Sequence, residues 1–228
     1  MRNLIELGGP IPPRETAAET VYRRLREAIL SGRLPEGAVV RESAVAAAWG
    51  VSRTPVRDAL RRLLAEGLVE GRRGRGVVVA ALTPQTAAGL LDLWEAVGGM
   101  AARRAAERAT PEVRAQLSTL IKTVSVAARG GDAAFFVAAE EAIHTAVGSA
   151  AGTPVLAQAV EQVRGRLRPL LARLLQNRGR TTRSFRELAR LTAAIRSRDP
   201  DRAEAALREH VASLRQEGRE AGWLPPGP

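Results

Sequence analysis

The run Gly50-Val51-Ser52-Arg53-Thr54-Pro55-Val56-Arg57-Asp58-Ala59-Leu60 holds residue types suited to gripping a nucleic acid. Ser52 suits a helix N-cap. Pro55 would sit in the first turn, where a missing N–H costs nothing. Val56, Ala59, Leu60 and Leu63 then fall on one helical face, and Gly67 ends the helix. Ser52, Arg53, Thr54 and Arg57 are left at the start and on the outer side. Arg53 and Arg57 are four apart and share that side. A recognition helix enters the major groove by this end. A guanidinium can hold guanine or phosphate through two hydrogen bonds, and the helix N-terminus itself favours phosphate.

Such a helix needs a scaffold, and the flanking sequence supplies one. Val21, Leu25, Ala28 and Ile29 predict a helix from Thr16 to Ser31, with Gly32 as its cap. Leu34-Pro35-Glu36-Gly37 reads as a turn. A short helix is expected over 42–49, ended by Gly50. Two extended segments, 68–70 and 77–80, flank Gly71-Arg72-Arg73-Gly74-Arg75-Gly76. They predict a β-hairpin with an arginine–glycine tip that could lie on the minor groove or a phosphate strand. A solvated arginine-rich turn is the plain alternative for the tip alone. Three helices followed by a hairpin form a winged helix-turn-helix, expected over 16–80. Residues 1–15, with three prolines and two adjacent glycines, read as a flexible arm.

Beyond a linker at 81–84 the pattern is helical throughout. Six helices are expected, at 84–109, 111–129, 133–150, 154–177, 182–198 and 200–219, within an effector-binding and dimerisation domain over 85–219. Thr110-Pro111 and Asp199-Pro200 each set an N-cap before a first-turn proline. The tail, 220–228, reads as frayed. The fold class is mainly α: a winged helix-turn-helix joined to an antiparallel helical bundle.

Composition narrows the function. The 228 residues carry a net charge of +11, nearly all of the excess from arginine, with Lys122 the one lysine. That favours nucleic acid or an anionic surface as partner, although a GC-rich genome would also raise arginine. No cysteine is present, which excludes disulfides, thiol catalysis and cysteine-based metal sites. No apolar run resembles a signal peptide or approaches the roughly 18 residues of a membrane span. A cytoplasmic protein with no membrane association is expected.

The run from Leu34-Pro35-Glu36-Gly37 through Ser52-Arg53-Thr54-Pro55-Val56-Arg57 to Glu66-Gly67-Leu68-Val69 resembles the GntR family of transcription regulators. The resemblance implies symmetric homodimers on palindromic double-stranded DNA operators. It implies DNA contacts from Ser52, Arg53, Thr54, Arg57 and the wing glycine Gly74, with Arg73 and Arg75 beside it. Many relatives place a DNA-contacting arginine at the base of the second helix. Here that slot is Ser43, with Arg41 nearby.

The C-terminal half is similar, more loosely, to the FCD domain of the FadR subfamily. Its anchors are Ala101-Ala102-Arg103-Arg104-Ala105-Ala106, Ile143-His144, Ala194-Ile195 with Arg198-Asp199, and Ala203 to His210. The resemblance implies a pocket in which an aspartate and three histidines hold a divalent metal of the Zn, Ni or Mn type, often with a small carboxylic acid on the metal. Mapped here, the slots are Glu140, His144, Leu188 and His210. Leu188 offers no lone pair, and Glu187, turned about 100° from it, is a poor substitute. Three protein ligands remain a workable shell. The two histidines could instead bind an effector directly or persist as packing. A further slot, where relatives carry an arginine, is Trp94, and an acid slot is Gly98. Trp94 is therefore an effector-contact candidate or a core residue.

These readings converge on a dimeric transcription regulator, a repressor released from its operator by a small-molecule effector such as a carboxylate. The alternative is an architectural DNA-binding protein whose helical half only dimerises. Two histidines and scattered acids give no nucleophile, base and orienter set, so an enzyme is not expected.

Overall fold

The computed structural model describes residues 16–72 and 76–226. The chain divides into two compact units, through Leu82 and from Thr83 onward. The expected arm, and the wing residues Arg73, Gly74 and Arg75, lie outside the described residues.

The first unit contains α1 (Ala17–Leu30), β1 (Val39–Val40), α2 (Glu42–Trp49), α3 (Arg53–Ala65), β2 (Val69–Arg72) and β3 (Gly76–Val79). Thr16 starts α1 with a capping box. Its side chain accepts from the Glu19 N–H while the Glu19 carboxylate reaches back to the Thr16 N–H. The sheet order is β1-β3-β2, all antiparallel, with Val69 opposite Val79 and Val39 opposite Val78. β1 was not foreseen, because two valines after a turn carry no period. It forms when Val79 N–H donates to the Ala38 carbonyl and Gly37 N–H to the Val79 carbonyl. Val21 and Leu25 of α1, Val56, Ala59, Leu60 and Leu63 of α3, and Val69 and Val79 of the sheet form one buried core. Tyr22 and Arg26 of α1 both hydrogen-bond Glu66 just beyond α3. The Arg62 guanidinium lies 3.9 Å over the Tyr22 ring.

The second unit is a bundle of α4 (Pro84–Arg108), α5 (Pro111–Gly130), α6 (Ala133–Ala150), α7 (Pro154–Leu174), α8 (Arg178–Arg196) and α9 (Pro200–Glu220). Thr83, Thr110, Asp132 and Asp199 cap their helices through side-chain oxygens. Two expectations are corrected. α7 ends at Leu174, and α8 begins at Arg178 rather than 182, because the Asn177 side chain accepts from Gly179 N–H at 2.8 Å and starts the helix early. The tail is folded as far as Leu224. Trp223 and Leu224 N–H groups both donate to the Gly218 carbonyl, and Leu224 is buried. Gly218 permits this, since a Cβ there would stand 2.6 Å from Leu224 Cδ1.

Candidate functional site

α2 and α3 meet at Gly50, whose φ of 64° lies in the left-handed region that glycine tolerates. The turn presents the α3 N-terminus outward. Ser52, Arg53 and Thr54 are exposed, and Ser52, although it is the N-cap residue, makes no side-chain cap bond. Its hydroxyl and the first α3 amides remain available to an outside acceptor. Arg57 differs. Its guanidinium holds the Glu42 carboxylate of α2 in a bidentate pair, with Nη2 to Oε2 at 2.9 Å and Nε to Oε1 at 3.1 Å. This contact keeps the Glu42 carboxyl below the usual carboxylate range. Arg41 is the exposed N-cap residue of α2 without a cap bond, and Ser43, two residues on in the first turn, is also exposed. On the wing, Arg72 pairs with Glu70 at 2.9 Å.

In the second unit α6 and α9 bring three donors together. Glu140, His144 and His210 are each at most 2% exposed, and one donor atom from each lies within 4.8 Å of the others. His210 Nε2 stands 3.2 Å from Glu140 Oε1, and His144 Nε2 stands 3.8 Å from it. Neither contact is aligned as a hydrogen bond, so among the described residues all three atoms are buried without a hydrogen-bond partner. Buried polar atoms seldom stay unpaired. Donors around a tetrahedral ion bonded at roughly 2.1 Å stand about 3.4 Å apart, which matches these separations. The residues fit a divalent metal.

The electrostatics agree. Burial pushes the His144 imidazole down to about 3, helped by the charge of Arg164, so it is a neutral lone-pair donor at pH 7. Burial opposes the Glu140 carboxylate, but the two imidazoles and Arg164 outweigh it and hold its pKa well below normal. Burial also lowers His210, yet Glu140 and Glu187 more than offset it, and its pKa is raised.

Glu187 of α8 is the residue whose part was missed. It is not among the three converging donors. Its Oε2 lies 2.7 Å from His210 Nδ1, on the far side of the ring. A carboxylate there makes Nδ1 the donor and turns Nε2 toward Glu140, the support metal-binding histidines commonly have. Glu187 is in turn held by Arg180, a fully buried guanidinium that also bonds Ser184, Ser213 and Glu217. The signal was an arginine seven residues before a glutamate on one helix, two turns on the same side.

Trp94 of α4 is fully buried. Its ring meets His144 and His210 edge-on, with centroids 5.3 and 5.7 Å away, while the two imidazoles stack at 5.5 Å. At these distances the three rings pack against one another. Gly98 makes room, since a Cβ there would come 2.8 Å from Trp94 Cδ1 and 2.5 Å from Leu207 Cδ2. Arg164 of α7 lies 5.1 Å from the Trp94 ring centroid. The crevice that reaches Glu140 past Arg164 and Arg168 measures about 10 Å³, roughly one water.

Residues 17–79 match the description "Bacterial regulatory proteins, gntR family", and residues 90–213 match the FCD domain. The chain belongs to the GntR family. A Paenarthrobacter nicotinovorans protein named "Probable D-xylose utilization operon transcriptional repressor" is 34% identical over 205 residues, covering 88% of each chain. The transcriptional repressor NanR of Klebsiella aerogenes is 28% identical over 232 residues, covering 92% of this chain and 88% of that one. The solved structure of Escherichia coli McbR/YncC superposes with a TM-score of 0.75 at 23% identity, over 89% of this chain and 99% of that one. The last likeness concerns fold. This GntR-family chain is a transcription regulator and not an enzyme. Among its described residues, no helix is long and apolar enough to cross a membrane.

Proposed function

We propose that this GntR-family regulator is a cytoplasmic homodimeric repressor. It would bind a palindromic operator through α3 and release it when a small-molecule effector binds the FCD domain. The observation that carries the DNA reading is the N-terminal turn of α3, where Ser52, Arg53 and Thr54 are exposed and the Ser52 hydroxyl has no partner among the described residues. In this reading Arg53 and Arg57 read bases, Ser52 and Thr54 bind phosphate, and Arg41, Ser43 and the wing residues Arg73, Gly74 and Arg75 add backbone contacts. Names of relatives, two of them repressors, support the sign of regulation.

Dimerisation is supported by α4. Leu93 and Met100, one heptad apart, stay 47% and 43% exposed, with exposed Gly89 and Ala96 on the same stripe. A second copy laid on this face would bury it.

Glu140, His144 and His210 would hold a divalent ion, with Glu187 orienting His210. The ion would supply a fixed positive charge that ties α6 to α9. Trp94 then serves as the wall of that centre. Its packing on both imidazoles also favours the second reading, in which the helical unit only dimerises.

The test is selection of bound sites from a random DNA pool, followed by affinity and sizing measurements. A two-fold symmetric site bound by a dimer, weakened about tenfold or more by Arg53→Ala, is the expected result. Unchanged affinity in Arg53→Ala would refute the assignment.

A further inference from the structure

Glu140, His144 and His210 are almost wholly shut off from solvent. The crevice beside Glu140 measures about 10 Å³, room for roughly one water, and a hydrated ion brings several. A solute therefore reaches the trio only when a wall moves. We propose that this crevice is the entry port of the buried centre, latched by the Arg168–Glu141 ion pair and opened where α7 yields between Gly165 and Pro169.

The crevice runs between α6 and α7. Glu140 stands at its buried end. Glu141, next along α6, and Arg168 of α7 stand at its outer end, with 40% and 31% of their side chains exposed. Arg168 Nη2 donates to Glu141 Oε2 at 2.9 Å and so joins the two walls at the mouth. A half-exposed pair of this kind holds weakly.

The turn of α7 behind the latch is weak as well. Pro169 lies inside the helix and has no N–H to give the Gly165 carbonyl. Gly165, at the other end of that turn, adds backbone freedom. Arg164 and Arg168, four apart, flank this segment and line the crevice together. Arg164 Nε is buried without a hydrogen-bond partner among the described residues, so that nitrogen does not hold the side chain in place. When α7 yields, both guanidiniums draw back from α6. Glu141 is then the outer carboxylate that meets a cation on its way to Glu140. Service as an ion's path rests on the reading of the trio as a metal centre. Access to the two imidazoles does not, and the experiment separates the two.

The chain has two histidines, both in the centre, so carbethoxylation by diethyl pyrocarbonate reports on access to it. Full-length protein treated with EDTA is labelled and followed by ultraviolet difference absorbance. In a second arm the rate of zinc uptake is measured by stopped flow. Arg168→Gln and Glu141→Gln should each speed both rates about two- to fivefold, the strength of an exposed pair. The two variants remove opposite charges, so acceleration in both reports the latch and not the local field. Pro169→Ala, which restores the missing N–H, should slow both rates. Arg104→Gln, which breaks an exposed pair with Glu107 on α4, should change neither. Unchanged labelling in both latch variants, opposite changes in the two, or equal acceleration in Arg104→Gln would overturn the port. Faster labelling with unaltered zinc uptake would overturn its service as the ion's path. Faster labelling in a protein that binds no zinc upholds the port and overturns the metal reading instead.

Discussion

Arg57 Nη2 stands 2.9 Å from Glu42 Oε2, so the second arginine of α3 is tied to α2. The pair is exposed, and solvent screens it, so it holds geometry more than it adds stability. Fixing a guanidinium in one rotamer reduces the ordering cost of a specific contact. Glu42→Gln should therefore weaken binding to the selected operator about three- to tenfold while tightening binding to random DNA, because a negative charge is lost. Competition titrations at fixed salt measure both. A parallel rise in the two affinities would show that Glu42 only repels DNA.

The buried trio makes a prediction about metal. Zinc at about a hundred times its dissociation constant should stabilise the chain by about 2.7 kcal/mol, read as a rise in Tm that EDTA reverses. His144→Ala and Glu140→Gln should each abolish the rise. Glu187→Gln should keep it but weaken affinity about 10- to 100-fold, since only the hold on His210 Nδ1 is lost. A rise of equal size in all three variants would place the ion elsewhere.

Two neighbouring glycines on α4 should behave oppositely. A methyl at Gly98 meets buried Trp94 and Leu207 below 3 Å, whereas at Gly99 the nearest atom is Arg208 Nε at 3.3 Å. Arg208 has 53% of its side chain exposed and can move aside. Gly98→Ala should thus destabilise by about 1–3 kcal/mol through overpacking. Gly99→Ala should be neutral or stabilise by up to about 1 kcal/mol through helix propensity. Urea unfolding followed by helical circular dichroism distinguishes them. Stabilisation by Gly98→Ala would mean that the indole is not held where it lies.

The first unit should weaken in alkali. Burial pushes the Tyr22 hydroxyl up, with help from its hydrogen bond to Glu66, to about 12 from 10.0. A raised phenol contributes stability that is fully present below the unfolded value and lost as pH rises through the folded one. The loss should therefore fall between about pH 10 and pH 12. Tyr22→Phe should be less stable at neutral pH and show a flatter profile across that window. Identical slopes for both proteins would remove Tyr22 as the cause.

How far the sequence reached can be judged residue by residue. Apolar spacing and caps located the helices of both units, because those signals act over a few residues. Glu140 and His144, four apart, are on one face of α6 whatever surrounds them. The winged helix-turn-helix was legible because its chemistry is local: Gly50 for the turn, Ser52 for the helix start, arginines on the outer side. Where a boundary failed, as at the start of α8 and in the tail, a contact had decided it. Asn177 capped early, and Leu224 found a seat on Gly218.

The tertiary structure alone decided which atoms of distant segments meet. Glu187 looked misplaced as a substitute for a ligand at position 188, and among the donors it is. Only the packing of α8 on α9 turns it to the opposite nitrogen of His210. Trp94 and Gly98 looked like two separate losses from a family pattern. Packed together they are one adjustment, since the indole occupies the space that any side chain at 98 would need. Arg57 looked like a free base-reader until α2 brought Glu42 to it. Helical period determines the face a residue lies on. Its partner depends on how that helix is rotated and set against another, and side-chain packing across the whole unit determines that.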